Sequence, residues 1–177
     1  NKLTNDEVIR RELRQTEGAA FSPSRVERSK VRLQRLSFFD EVEIETIDVA
    51  GREDQVDLEV TVKERPTGSF LFGLGFSGDD GALIQASVSQ ANLFGTGNQL
   101  NFGIQRSDII ESITLQYTNP YYTKSGISRT IGISGRSIDA ARANTSAFLT
   151  DTLAVNMSYL FPINENNSFS LGGGFER

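Results

Sequence analysis

Apolar and polar positions alternate along the chain from residue 68 onward. Within Gly68–Ser77, one side carries Phe70, Phe72, Leu74 and Phe76, whereas the other side is mostly Ser and Gly. A period of two is the side-chain period of a β-strand. Ten residues is about the length that a tilted strand needs to cross a bilayer. The pattern therefore predicts a membrane-crossing strand that begins at residue 68.

Six further segments alternate in the same way, which predicts seven consecutive antiparallel strands with turns at 79–81, 93–98, 107–110, 119–126, 137–150 and 162–167. The apolar positions of these segments are Ile84, Ala86, Val88; Leu100, Phe102, Ile104; Ile113, Leu115, Tyr117; Ile127, Ile131, Ile133; Leu153, Val155, Met157, Tyr159, Phe161; and Phe169, Leu171, Phe175. The opposite positions are mainly Gln, Ser, Asn, Thr and Gly, which suits a water-filled barrel lumen.

Aromatic residues near the predicted turns resemble the interfacial girdle of a membrane barrel: Phe94, Tyr121, Tyr122, Tyr159 and Phe161. A soluble β-sandwich is the alternative, because its strands also alternate, but its apolar faces would then cover each other. Seven strands do not close a bacterial single-chain barrel, which uses an even number from eight upward. We therefore expect an incomplete antiparallel transmembrane barrel whose remaining strands lie outside this sequence.

Residues 1–67 follow a different pattern, in the order helix, helix, strand, strand. The capping-box spacing of Thr4 and Glu7 predicts a helix that starts at Asn5 and stops near Gly18. A second helix is predicted to open at Ser22, with a proline in its first turn.

Two alternating strands follow the second helix. In the first strand, Val42 and Ile44 alternate with glutamates. After a turn at 50–54, apolar and polar residues alternate more regularly from Val56 to Lys63, which predicts the second strand. Phe38 and Phe39 are expected to pack beneath the helices. Two helices and two strands make a thin core, so we expect this α+β domain to lack its first strand.

The charge distribution places a domain boundary near residues 65–67. Residues 1–67 contain 12 Lys/Arg and 15 Asp/Glu, against 6 and 8 in residues 68–177, and 14 of the 16 glycines follow residue 67. The expected domains are therefore 1–67 and 68–177.

The residue content argues against an enzyme and against several ligand classes. Net charge is −5 with no basic block, so nothing favours nucleic-acid binding, and there is neither His nor Cys. Gly clusters at 73–75 and 172–174 lack the spacing of a phosphate loop. No catalytic residue, metal site or cofactor is expected. No signal peptide is recognised, and no apolar run is long enough for a transmembrane helix.

Several short motifs resemble one family when taken in order. Leu36–Val42 is similar to the helix-to-strand transition of a POTRA (polypeptide-transport-associated) domain, and Val62–Phe70 to the junction between a last POTRA domain and its barrel. Gln90–Asn98, Thr118–Tyr122 and Phe161–Glu165 are similar to the periplasmic turns of that barrel. Together they resemble the BamA family of outer-membrane β-barrel assembly factors.

The resemblance implies a function, a location and partners. The family assembles and inserts β-barrel proteins into the Gram-negative outer membrane, so residues 1–67 would lie in the periplasm and the strands in the bilayer. Expected partners are unfolded outer-membrane clients and lipoprotein subunits of the machinery, such as a BamD-like protein. A TamA-like translocator, a two-partner secretion transporter and a passive porin-like pore remain as alternatives.

Two sets of candidate functional residues follow. The first strand would part from its closing partner and offer backbone groups to a client strand, using Phe70, Leu71, Phe72, Gly73, Leu74, Gly75 and Phe76. Gly73 and Gly75 would offer no side chain on the lumenal face of this strand and would weaken its rigidity. By resemblance, the exposed side of the first helix would dock the BamD-like partner through Arg10, Glu12 and Arg14.

Overall fold

The computed structural model describes residues 3–52, 55–78, 81–139, 149–164 and 167–177. It divides into two compact units. The first is Asn1–Thr67 together with the turn Phe94–Gly97, and the second is Gly68–Leu93 with Asn98–Arg177. Each unit is described separately below.

The first unit contains two helices and a two-stranded antiparallel sheet. The helices are α1 (Asp6–Arg10) and α2 (Pro23–Arg35), and the strands are β1 (Phe39–Asp48) and β2 (Val56–Glu64). The strands pair from Asp48 opposite Val56 to Phe39 opposite Glu64, with an irregularity between Phe39 and Glu41. No helix in the described part of the chain has the length and apolarity to span a membrane.

The core of the first unit is small and apolar. Val8 of α1, Leu33 of α2 and Val42 of β1 are buried together with Phe38 and Phe39. The two phenylalanine rings meet edge to face with centroids 6.2 Å apart, a favoured geometry for an aromatic pair. The prediction that both phenylalanines pack into this core is confirmed.

Helix α1 is shorter than predicted. It ends at Arg10, so the expected stop at Gly18 is wrong. Asn5 occupies the N-cap position without a side-chain capping bond, and the backbone N–H of Thr4 instead donates to Glu64 Oε1 at 2.6 Å. After Arg10 the backbone tightens into turns, in which the N–H groups of Glu12 and Leu13 donate three residues back at 3.1 Å. The N–H of Arg14 then leaves this pattern and donates to Ser29 Oγ at 2.8 Å.

The turn Phe94–Gly97 packs within the first unit. The N–H of Asn5 donates to the carbonyl oxygen of Gly95 at 2.8 Å. Gly95 has a φ of +74°, and a Cβ there would lie 1.7 Å from the carbonyl oxygen of Leu3. Both the backbone conformation and the close approach therefore require glycine.

The second unit is one seven-stranded antiparallel sheet whose strands lie in chain order. The strands are β3 (Gly68–Ser77), β4 (Gly81–Leu93), β5 (Asn98–Arg106), β6 (Ile110–Asn119), β7 (Ser128–Asp139), β8 (Leu149–Pro162) and β9 (Ser168–Glu176).

Strand register aligns the alternation into two continuous faces. One apolar row crosses all seven strands through Phe70, Val88, Phe102, Leu115, Ile133, Val155 and Phe175. An adjacent row on the opposite face consists of Ser69, Ser89, Asn101, Gln116, Gly132, Asn156 and Gly174. Most of the apolar row is exposed. The described residues of this unit form no second sheet that covers the row, so the soluble sandwich is wrong.

Two strands are longer than predicted around the expected loop 137–150. β7 continues to Asp139 and β8 starts at Leu149, because the backbone ladder between them extends past the last apolar positions. Residues 140–148 of that loop lie outside the described residues. So do parts of three predicted turns, namely 53–54, 79–80 and 165–166.

Candidate functional site

The predicted pairing strand, β3, lies at one edge of the sheet. All ten of its residues pair with β4 without a bulge, from Gly68 opposite Gln90 to Ser77 opposite Gly81. No other strand pairs with β3 in the described part of the chain. Each side of an antiparallel strand uses only part of its backbone groups, so the outer side of β3 presents a row of N–H and C=O groups. Such a row is a template for another strand.

The apolar face of the sheet continues onto this edge. Leu74 and Phe76 are 72% and 85% exposed, and Phe70 and Phe72 are exposed beside them. Exposed apolar area of this extent marks a membrane or protein contact surface. The outer side of β3 therefore combines backbone groups with apolar side chains, which is what pairing with an amphipathic strand requires.

The opposite face of β3 is not bare at Gly73. A Cβ on Gly73 would lie 2.8 Å from Nε2 and 3.0 Å from Cγ of Gln85, its partner on β4. The Gln85 side chain therefore covers this glycine on the polar face. At Gly75 a Cβ would be in ordinary contact with Leu83 at 3.7 Å. Of the two positions, Gly73 is the one where close side-chain approach favours glycine.

The three predicted docking residues do not form one exposed patch. Arg10 is exposed; its guanidinium pairs with Asp6 one turn earlier and with Glu17 at 2.7 Å. The hydrogen bond that Arg10 donates to the carboxylate of Asp6 is the main reason that the pKa of Arg10 is raised. Arg14 is only partly exposed, and its backbone is bonded to Ser29.

Glu12 is buried, so the expectation of an exposed charge is wrong. Its side chain is 4% exposed, and Oε2 accepts a bond of 2.6 Å from Nη2 of Arg32 on α2. The prediction extended the helical face of α1 past Arg10, where the helix ends. The turn that follows directs Glu12 inward, toward the cation that neutralises it.

A long-range contact at Glu64 has no signal in the sequence. Its carboxylate accepts the N–H groups of Leu3 at 2.9 Å and Thr4 at 2.6 Å. Burial is the largest influence and raises the pKa of Glu64, but the bonds from Leu3 and Thr4 together outweigh it and hold the pKa below its usual value. Glu64 therefore joins the end of β2 to the segment before α1.

An aromatic cluster lies at one end of β8 and β9. Ring centroids are 6.0 Å apart for Tyr122 and Tyr159, 6.4 Å for Tyr159 and Phe161, and 6.1 Å for Phe161 and Phe169. Three predicted girdle residues therefore meet, whereas Phe94 belongs to the first unit. The sequence analysis missed a cation in this cluster: Cζ of Arg129 lies 4.0 Å from the ring centroid of Tyr122.

Comparisons with known proteins cover both units. Residues 1–65 match the POTRA family model, described as a surface antigen variable number repeat, and residues 92–177 match the Omp85 superfamily domain. The chain is similar to the outer membrane protein assembly factor BamA of Neisseria meningitidis serogroup B, at 37% identity over 97% of this chain and 22% of that protein. It is similar to BamA of Buchnera aphidicola at 30% identity over 99% of this chain and 28% of that protein.

A solved structure agrees with these sequence matches. The crystal structure of BamA from Haemophilus ducreyi lacking POTRA domains 1–3 superposes with a TM-score of 0.83 at 37% identity, covering 98% of this chain and 33% of that one. The present chain therefore spans between about a fifth and a third of the length of these relatives.

Proposed function

We propose that this chain, which belongs to the BamA family of the Omp85 superfamily, takes part in inserting β-barrel proteins into the Gram-negative outer membrane. In this proposal residues 1–67 form a periplasmic POTRA domain of α+β type. The seven strands are consecutive strands of a larger closed barrel, with their apolar face toward lipid. A closed barrel is required because unpaired backbone groups cost several kcal/mol each in the bilayer core.

The observation that carries the proposal is the strand β3. It directly follows the first unit, all ten of its residues pair with β4, and its side chains alternate between an apolar and a polar face in register with the rest of the sheet. An incoming strand of an outer-membrane client has the same alternation. It can therefore add to β3 by β-augmentation with its apolar residues on the lipid side.

Strand exchange requires no catalytic side chain. When β3 parts from the strand that closes the barrel, backbone hydrogen bonds break that are worth about 0.5–1.5 kcal/mol each in water and more in lipid. A client strand replaces those bonds one for one, so the net free-energy change of the exchange is small. A ten-residue strand makes about ten bonds on one side, two for each hydrogen-bonded pair, so replacing them stepwise with client bonds costs less than opening the whole ladder at once.

Docking of a BamD-like lipoprotein by the first unit is part of the proposal. Support comes from the family membership and from the exposed side chain of Arg10. Glu12 is given an indirect role because it is buried against Arg32. It would hold α2 and the segment after α1 in place rather than touch the partner.

A reversible lock on β3 tests the function in the full-length protein. Leu71→Cys is combined with a cysteine at the facing residue of the last barrel strand, which closes the full-length barrel against β3. Insertion of client barrels into proteoliposomes is measured before and after reduction. This segment contains no native cysteine that would interfere. The matched control is the pair Thr114→Cys and Ser134→Cys, which face each other across the internal β6–β7 seam in the same row as Leu71.

The proposal predicts that the oxidised β3 lock stops insertion, that reduction restores it, and that the internal lock has no effect. If the oxidised β3 lock inserts clients at the normal rate, β3 is not the working edge. The protein would then be a pore with a periplasmic docking domain.

A further inference from the structure

Arg129 occupies an unusual place on the sheet. It is the second residue of β7 and pairs with Tyr159, so it lies on the apolar face. A cation on the lipid face of a barrel costs about 2–4 kcal/mol at the bilayer midplane but only about 0–1 near the interface. The neighbouring aromatic rings, Tyr122, Tyr159 and Phe161, are also of the kind found at that interface. The position of Arg129 therefore corresponds to the headgroup level.

The guanidinium of Arg129 lacks an anionic partner in the described part of the chain. Its Nε is buried and makes no hydrogen bond there, and its Cζ lies over the face of the Tyr122 ring, 4.0 Å from the ring centroid. Another arginine on this face shows the difference, because Arg106 pairs with Glu111 at 3.0 Å. A charged group next to apolar surface requires a counter-charge.

We propose that Arg129, with the ring of Tyr122 beneath it and Tyr159 and Phe161 beside it, binds the phosphate of a phospholipid in the membrane leaflet at this end of the barrel. A guanidinium offers a planar fork of donors that matches two phosphate oxygens. The Tyr122 ring holds that fork in place by a cation–π contact. The aromatic side chains beside it provide an apolar surface for the part of the acyl chains that lies nearest the headgroup.

This inference rests on the proposed membrane location of the strands, and its test separates the two. Full-length protein is purified in a non-ionic detergent, and binding of phosphatidylglycerol and of diacylglycerol with the same acyl chains is measured by native mass spectrometry. The variants are Arg129→Gln, Arg129→Lys and, as matched control, Arg136→Gln. Arg136 lies on the same strand but on the polar face. Heat-modifiable migration on a gel reports barrel folding for each variant.

We expect Arg129→Gln to weaken phosphatidylglycerol binding roughly five-fold, the effect of about one interfacial charge. Arg129→Lys retains the charge but loses the fork, and its affinity falls between those of the wild type and Arg129→Gln. Arg136→Gln binds like the wild type, and diacylglycerol binds weakly to all four proteins.

Three results overturn the lipid site while leaving the proposed function intact: equal binding by Arg129→Gln and the wild type, equal binding of the two lipids, or displacement of phosphatidylglycerol by an equal concentration of inorganic phosphate. If Arg129→Gln does not fold, the Arg129→Lys result decides, because unaltered binding there contradicts the role of the planar fork. Failure of the wild type itself to fold as a barrel would contradict the proposed function and the lipid site together.

Discussion

The buried ion pair between Glu12 and Arg32 leads to a quantitative prediction for Glu12→Lys. The pair has an N–O distance of 2.6 Å, with side chains 4% and 23% exposed. Removing one partner of a buried pair costs about 3–5 kcal/mol, because the remaining charge is left uncompensated. Arg32 retains some contact with solvent, so we expect the lower end, about 3 kcal/mol. That value corresponds to roughly a 100-fold rise in the equilibrium constant between the folded and the locally opened state of the first unit.

Hydrogen exchange of residues 1–67 in the full-length protein measures this change directly. Protection of the backbone amides in α2 and β1 should fall roughly 100-fold in Glu12→Lys. The matched control is Glu7→Lys, which makes the same charge change at an exposed position of α1 and should alter the free energy of opening by less than about 1 kcal/mol.

A charge swap separates the ion pair from a general effect of mutation at Glu12. Combining Glu12→Arg with Arg32→Glu restores opposite charges and should recover part of the lost protection. Equal protection in Glu12→Lys and Glu7→Lys would refute the reasoning, since it would mean that the pair is not buried in solution. In that case Glu12 would again be available for direct contact with a partner.

Three further predictions concern other parts of the chain. The pKa of Glu64 is lowered in the folded protein, so its contribution to stability is present above the unfolded pKa, about 4.3, and is lost as pH falls through the folded value. In Glu64→Gln, the hydrogen-exchange protection of the first unit should therefore fall less as the pH is lowered. Gly95→Ala should destabilise the first unit by well over 1 kcal/mol in the same assay, whereas Gly18→Ala, which has a similar φ but no atom within 4 Å of the added Cβ, should cost only about 1 kcal/mol. Val88→Lys should cost up to about 2–4 kcal/mol of barrel stability, measured by urea unfolding in lipid vesicles, and Ser87→Lys on the polar face far less; equal costs would contradict the assignment of the faces.

The strand faces could be predicted from the sequence because they depend on a local property. Alternation fixes which side chains share a face once a segment is extended, and the observed register then joins Phe70, Val88 and Phe102 into one row. Strand ends were less predictable. β7 and β8 extend to Asp139 and Leu149 because backbone pairing continues where the apolar pattern has stopped.

The features that the sequence did not predict depend on contacts between distant residues. Glu64 bonds to Thr4 across 60 positions, and Glu12 pairs with Arg32 across 20. Neither spacing is periodic, so no local pattern indicates it. The extent of α1 was wrong for the same reason, because tertiary partners compete with helical hydrogen bonds after Arg10. The contact between Arg129 and Tyr122 required the fold that brings them together.

The central claim is that a client strand pairs with the outer side of β3 once its seam opens, and disulfide capture during assembly tests it most directly. Single cysteines at Leu71 and at Thr114, which lie in the same row of the sheet, are combined with cysteines at successive positions of a client's terminal strand. Leu71→Cys is predicted to trap the client at alternate positions, those facing the same side of the sheet, whereas Thr114→Cys on the internal strand β6 traps none. Equal capture at the two sites, or capture at Leu71 without a period of two, would contradict pairing of the client with this strand.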